Sequence, residues 1–206
     1  KCPVYFSKTA WLVVIFIYIF IASVAPVWIL LQPRDYLNSF LLYFMMIAAA
    51  IGIFFTNPDV QLKAFTGWNI GGQTLFPFLF ITVACGAVSG FHSLIGSGTT
   101  SKQLNSEKDA KLIGYGSMLI ECVLAVIALI AVGYLTSDGA YAEIGTPPVV
   151  FATAISTFFA NMGMGDMAVS TMKTIILLAI SAFALTSLDT ATRLGRFLFQ
   201  ELFAFK

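Results

Sequence analysis

The stretch FPFLFITVACGAVSGFHSLIGSGTT, residues 76–100, begins as an apolar helix and becomes rich in Gly, Ser and Thr around His92, the only histidine of the chain. A helix that only spans lipid stays apolar along its length, because polar groups are costly in hydrocarbon. The change of character therefore indicates a functional centre within a membrane helix.

The composition extends this interpretation to the whole chain. Apolar residues make up 59% of the 206 residues and charged residues only 10%, against about 25% charged residues in ordinary soluble domains. The expected fold is all-α, a polytopic transmembrane helical bundle with the lipid bilayer as its partner. A net charge of +1 offers no strong attraction to nucleic acid.

Apolar runs of about 20 residues, enough to cross roughly 30 Å of hydrocarbon, predict about five spans. They cover residues 10–31, 37–56, 76–96, 112–135 and 171–188. Residues 149–165 predict a re-entrant or interfacial helix, and residues 189–206 an amphipathic helical end. We expect one transmembrane domain over residues 1–206, and the start without methionine indicates a fragment of a longer protein.

The segments between the spans carry most of the charge. Pro26 predicts a kink whose freed carbonyls a neighbouring helix or water must satisfy, and residues 32–38 predict a polar turn. Residues 57–75 and 136–148 predict loops outside the membrane. The Lys and Arg distribution places the first end outside the cell and the last end inside. Cys2, Cys85 and Cys122 show no metal-ligand or paired spacing and are interpreted as small packing residues.

On a helix, the polar and small residues of the central stretch form one continuous face, because they recur at steps of three and four. The spacing of Gly86 and Gly90 is also typical of a tight seam between two helices. A seam does not explain the imidazole or the hydroxyls at residues 97–100, so a binding face is the stronger prediction. The candidate substrate-binding or ion-binding residues are Gly86, Ser89, Gly90, His92, Ser93, Ser97, Thr99 and Thr100.

Glu121 lies in the middle of the fourth predicted span, where an ionisable side chain is by default a functional hypothesis. Small residues such as Gly114 and Ser117 share its helix face, so its carboxyl group is expected to point into protein. Both Glu121 and His92 have two interpretations: a proton or cation site, or a structural hydrogen bond.

Three charged residues outside this face are candidates for a gate or an anion contact: Arg34, Asp189 and Arg193. Arg presents a planar fork that suits a carboxylate. The alternatives are local neutralisation of Arg34 by Asp35, and a helix-end salt bridge between Asp189 and Arg193. The sequence contains no phosphate-cradling Gly-Lys-Ser/Thr loop, no GxSxG motif and no HExxH motif. We therefore expect no catalytic residue, metal or cofactor.

Three motifs in order resemble the carbon starvation protein A family: residues 31–38 (LQPRDYLN), residues 76–100, and residues 186–193 (TSLDTATR). The resemblance covers nearly the whole chain and implies a middle-to-late portion of a protein with many more helices. It implies a bacterial or archaeal inner-membrane transporter for peptides or pyruvate, driven by a proton gradient. It also implies two inverted five-helix repeats, with residues 76–100 as the broken helix of the second.

The function expected is therefore secondary active transport under carbon starvation, with a proton or cation and the remaining helices of the full-length protein as further partners. A membrane nutrient sensor or scaffold that moves no solute is the alternative. A membrane-embedded enzyme ranks third, because nucleophile and base pairs are scarce.

Overall fold

The structure, a computed structural model, describes residues 7–62, 64–65, 67–70, 73–135 and 145–204. Helices dominate these residues, which confirms the all-α class. They are α1 (Lys8–Val24), α2 (Val27–Thr56), α3 (Phe80–Ala87), α4 (Gly90–Gly98), α5 (Glu107–Leu135), α6 (Pro147–Asn161) and α7 (Asp166–Phe203). Short helical turns cover Leu75–Leu79 and Thr100–Lys102, and a small antiparallel hairpin pairs β1 (Asn69–Ile70) with β2 (Gln73–Thr74).

Within the described residues, four helical stretches are long and apolar enough to cross a membrane. They cover Trp28–Thr56, Leu75–Lys102, Glu107–Leu135 and Asp166–Phe203. The 17 residues of α1 would reach about 26 Å at 1.5 Å per residue, slightly less than the hydrocarbon thickness. Three predicted features lie outside the described residues: Cys2, most of the loop at 136–148, and the last two residues of the amphipathic end.

The first helix break lies at Ala25 and Pro26, and the turn predicted for residues 32–38 is wrong. Those residues belong to α2, which contains Pro33 in its interior. The prediction assumed that polar residues need a solvated loop. Instead, Arg34 and Asn38 find polar partners on α7, so the helix continues through them.

Pro26 ends α1 because it has no N–H to donate to the carbonyl of Ala22, four residues earlier. Arg193 of α7 donates to that carbonyl at 2.6 Å through Nη2 and to the carbonyl of Ala25 at 2.7 Å through Nη1. Its side chain is buried, as is Ala22. The kink predicted at Pro26 therefore frees carbonyls that a neighbouring helix satisfies, as expected from the sequence.

The chain divides into two compact units: Lys1–Leu42 with Ala179–Lys206, and Tyr43–Leu178. The second unit has a core of Ala131, Ala154 and Phe158, with half-buried aliphatic and aromatic side chains around it. Helix α6 supplies much of this core, since seven of its 15 residues are buried. Asn161 at its end donates to the Tyr134 hydroxyl of α5 at 2.7 Å, which fixes α6 against α5.

Gly52 of α2 lets the Phe158 side chain approach the helix backbone. A Cβ atom at position 52 would lie 3.0 Å from Phe158 Cβ, closer than a normal contact. We expect Gly52→Ala to destabilise the protein by about 1–3 kcal/mol, the usual range for overpacking. The matched control is Gly116→Ala in α5, where an added Cβ meets no atom of the described residues within 4 Å. Thermal unfolding in detergent measures both, and equal stability of the two variants would contradict the packing described.

The Arg193 contacts give a second prediction. Arg193→Ala removes the donors of two carbonyls, at about 1–3 kcal/mol for each buried group left unpaired. In a Pro26→Ala background, residue 26 regains an N–H for the Ala22 carbonyl, so Arg193→Ala should cost less. A double-mutant cycle on unfolding free energies measures the difference. Arg196→Ala is the control, because its guanidinium stacks on Phe197; equal costs of Arg193→Ala in both backgrounds would refute the capping role.

Candidate functional site: a polar cavity and a buried ion pair

The central stretch is interrupted twice: α4 ends at Gly98, within the hydroxyl cluster at residues 97–100 where the break was predicted, and a further break lies nine residues before that cluster. Helix α3 ends at Ala87, and Val88 leaves helical geometry with φ −132° and ψ 47°. Ser89 then caps α4, since its hydroxyl accepts a 3.5 Å hydrogen bond from the backbone N–H of His92. Ser is among the preferred residues for this role, so the signal was present in the sequence at Ser89 and Gly90.

The broken helix and α5 border a cavity of about 890 Å³. Seven of the predicted binding residues contribute to its wall, together with Gly114 and Ser117 of the small-residue face around Glu121. The seven are Gly86, Ser89, Gly90, His92, Ser93, Thr100 and Glu121. The structure thus brings the imidazole, the carboxyl group and several hydroxyl groups to one space.

Two of the predicted binding residues, Ser97 and Thr99, are not among the described residues that line the cavity. Ser97 donates its hydroxyl to the carbonyl of Leu94 at 3.3 Å, and the backbone N–H of Thr99 donates to Ile95 at 2.9 Å. Both contacts complete the last turn of α4. Ser101, which sequence reasoning left out, does line the cavity; it continues the run of hydroxyl residues that begins at Ser97.

Glycines keep the cavity open on the side of the broken helix. A Cβ atom at Gly86 or Gly90 would meet no other described atom within 4 Å, so in this part of the chain no helix packs on them. His92 and Glu121 are exposed to this space. The wall therefore offers one imidazole, one carboxyl group and small polar groups to whatever fills it.

A second polar cluster lies in the first unit, where α7 meets α2. Asp189 is completely buried and accepts a 2.9 Å hydrogen bond from Nη2 of Arg34. Arg34 also donates through Nη1 to the hydroxyl of Tyr18 on α1. One turn away, Asn38 donates to the Thr186 hydroxyl at 2.9 Å. Two successive turns of α2, at Arg34 and Asn38, therefore bind one face of α7.

These contacts replace one of the two local pairings considered from the sequence. Asp189 pairs with Arg34, 155 positions away, whereas Arg193 binds the two carbonyls of the α1 break. The other local pairing is present as a long ion pair, since Arg34 Nε lies 3.9 Å from Asp35 Oδ1. Arg34 is therefore shared between its neighbour Asp35 and the distant Asp189.

The fold and these two sites define the class: a multi-pass helical membrane protein with a polar cavity and a buried ion pair. A family model described as carbon starvation protein CstA matches residues 2–150 and 141–205. The chain belongs to this family, as its three motifs suggested.

Characterised relatives carry transporter names. A "Peptide transporter CstA" of Bacillus subtilis is 34% identical over 222 residues, covering 91% of this chain and 37% of the relative. A "Pyruvate/proton symporter BtsT" of Escherichia coli is 48% identical over 136 residues, covering 64% and 19%. A "Peptide transporter CstA" of Helicobacter pylori is 47% identical over 148 residues, covering 69% and 21%.

The chain therefore spans between a fifth and two fifths of the length of these relatives. Among solved structures, none matches the chain.

The cavity predicts a difference in water access between two sides of the broken helix. In a cysteine-free background, Ser93→Cys should react with a membrane-impermeant thiol reagent, because Ser93 lines the cavity. Val83→Cys is the control: Val83 is exposed at 62% on the apolar surface of α3 but is not part of the cavity wall, and lipid should protect it. Equal reaction rates at the two positions would show that the cavity is not a water-accessible space.

Proposed function

We propose that the chain is a membrane-spanning part of a secondary active transporter that imports peptides or small carboxylates such as pyruvate. The import would be coupled to protons, across the inner membrane of a bacterium or archaeon, and would serve the cell under carbon starvation. Family membership and the names of the relatives support transport as the activity. The observation that carries the assignment of the site is the cavity that unites Glu121, His92 and the hydroxyls of a broken helix.

Each wall group has a chemical use in such a site. Hydroxyls and the backbone groups freed at Val88 and Ser89 can replace water around a polar substrate, as interrupted helices do in transporters. Glu121 and His92 are ionisable side chains of the cavity wall, and each can form hydrogen bonds with a polar substrate. The inverted repeat implied by the resemblance would supply the matching broken helix from another part of the full-length protein.

Transport of labelled pyruvate and of a labelled dipeptide into proteoliposomes by the full-length protein tests this assignment. We expect accumulation driven by an inward proton gradient and its collapse with an uncoupler. Glu121→Gln and His92→Ala should each slow uptake about tenfold or more, the effect of losing one charge-assisted hydrogen bond.

Glu107→Gln is the matched control, because Glu107 lies in the exposed first turn of the same helix as Glu121. Unchanged transport and coupling in both site variants would reject the cavity as the site. Binding of pyruvate or the dipeptide without accumulation in any form of the protein would favour the nutrient sensor instead.

A further inference from the structure

The ion pair between Arg34 and Asp189 is incomplete on both sides. One hydrogen bond of 2.9 Å joins Nη2 to Oδ2, while the buried atoms Arg34 Nε and Asp189 Oδ1 have no hydrogen-bond partner among the described residues. An arginine and a carboxylate can form two parallel hydrogen bonds, and a buried pair is favourable only when its remaining donors and acceptors are satisfied. This pair is therefore held by half of its possible bonds.

The two partners differ in access. The Arg34 side chain keeps 18% of its surface exposed, whereas that of Asp189 keeps 0%. Of the two partners, only the Arg34 side chain has surface that an approaching anion could contact. Arg34 is thus the accessible half of a pair whose other half is sealed from solvent.

Within the part of the chain that the structure describes, Arg34 is the cation paired with Asp189. Arg34 and Asp35 face it from α2, with Asp35 Oδ1 3.9 Å from Arg34 Nε, and the Tyr18 hydroxyl of α1 binds Arg34 rather than Asp189. Arg193, on the same helix as Asp189, directs two of its nitrogens to the carbonyls of Ala22 and Ala25. If Arg34 turned to another anion, the buried carboxylate would have no counter-ion among the described groups.

We propose that the carboxylate of the transported substrate takes the place of Asp189 on Arg34, and that the released Asp189 then binds the coupled proton. This inference rests on the proposed transport of peptides or small carboxylates. In the exchange, the hydrogen bond from Arg34 to Asp189 breaks and hydrogen bonds from Arg34 to the substrate carboxylate form. One proton from water adds to an Asp189 oxygen. An unpaired buried carboxylate is far less stable than its neutral acid, because desolvation disfavours the charge.

The exchange keeps the charge of the site constant, since one anion and one proton enter together. It explains how a substrate and a proton are bound in a fixed ratio without touching each other. It also restricts the substrate class, because a compound whose carboxylate is replaced by a neutral amide cannot displace Asp189.

Proton uptake on substrate binding tests the exchange with the purified full-length protein in weak buffer containing a pH indicator. We expect wild type to take up about one proton per bound pyruvate or alanyl-alanine, and none with pyruvamide or the amide of the dipeptide. Asp189→Asn mimics the protonated acid, so it should still bind both acids without proton uptake. In proteoliposomes it should exchange labelled for unlabelled substrate but fail to concentrate it under a proton gradient.

Arg34→Lys should weaken binding of both acids about tenfold or more, since a lysine cannot form the paired bonds of a guanidinium. The matched control for Asp189→Asn is Glu201→Gln, which replaces an exposed carboxyl group near the end of the same helix. Proton uptake and accumulation should be unchanged in this control.

Three results would overturn the inference while leaving transport intact. They are substrate binding to wild type without proton uptake, persistence of uptake in Asp189→Asn, and loss of uptake with retained binding in Asp35→Asn. The wild-type stoichiometry and the Asp35→Asn variant decide the matter even where Asp189→Asn fails to fold. A wild-type protein that neither binds nor transports pyruvate or the dipeptide would reject the proposed function itself.

Discussion

In the hydrocarbon layer there is no water to bind a free backbone carbonyl or N–H, so each interruption of a helix needs a partner within the protein. The break at Pro26 leaves the carbonyls of Ala22 and Ala25 without helical donors, and Arg193 supplies both. At the second break, the Ser89 hydroxyl accepts from the backbone of His92. The two solutions differ in kind, because a guanidinium brings a full positive charge into the interior whereas a hydroxyl brings none.

The buried polar cluster of the first unit contains a second guanidinium. The two Nη atoms of Arg193 donate to carbonyl oxygens, which cannot neutralise its charge. Asp189, one turn before it on α7, is bound by Arg34 of α2 and is fully buried. Breaking a buried pair by removing one partner costs about 3–5 kcal/mol, so neither Arg34 nor Asp189 can leave the other without a replacement. In the proposed exchange, a substrate carboxylate would replace Asp189 on Arg34 and a proton would neutralise Asp189, which would keep both groups satisfied.

Much of this architecture follows from the sequence because it depends on local chemistry. Long apolar runs predicted the membrane helices, and Pro26 predicted a kink with freed carbonyls. The functional role predicted for residues 76–100 stays a prediction. Pairings between distant residues did not follow. The partner of Asp189 lies 155 positions away, and a single sequence contains no distance information for such a pair. The turn expected at residues 32–38 failed for the same reason: Arg34 and Asn38 are polar because they face α7, which helical periodicity alone cannot show.

Gly86 and Gly90 illustrate how the surrounding residues decide between two uses of the same motif. Small residues four apart allow a second helix to approach closely in lipid, and the open space beside them would admit one. Yet the wall of that space also contains His92 and Glu121. An apolar helix placed there would leave an imidazole and a carboxyl group without partners in a medium of low polarity. Water or a polar solute would satisfy both groups, and under the proposed function the glycines would bring the backbone of the broken helix within reach of that solute.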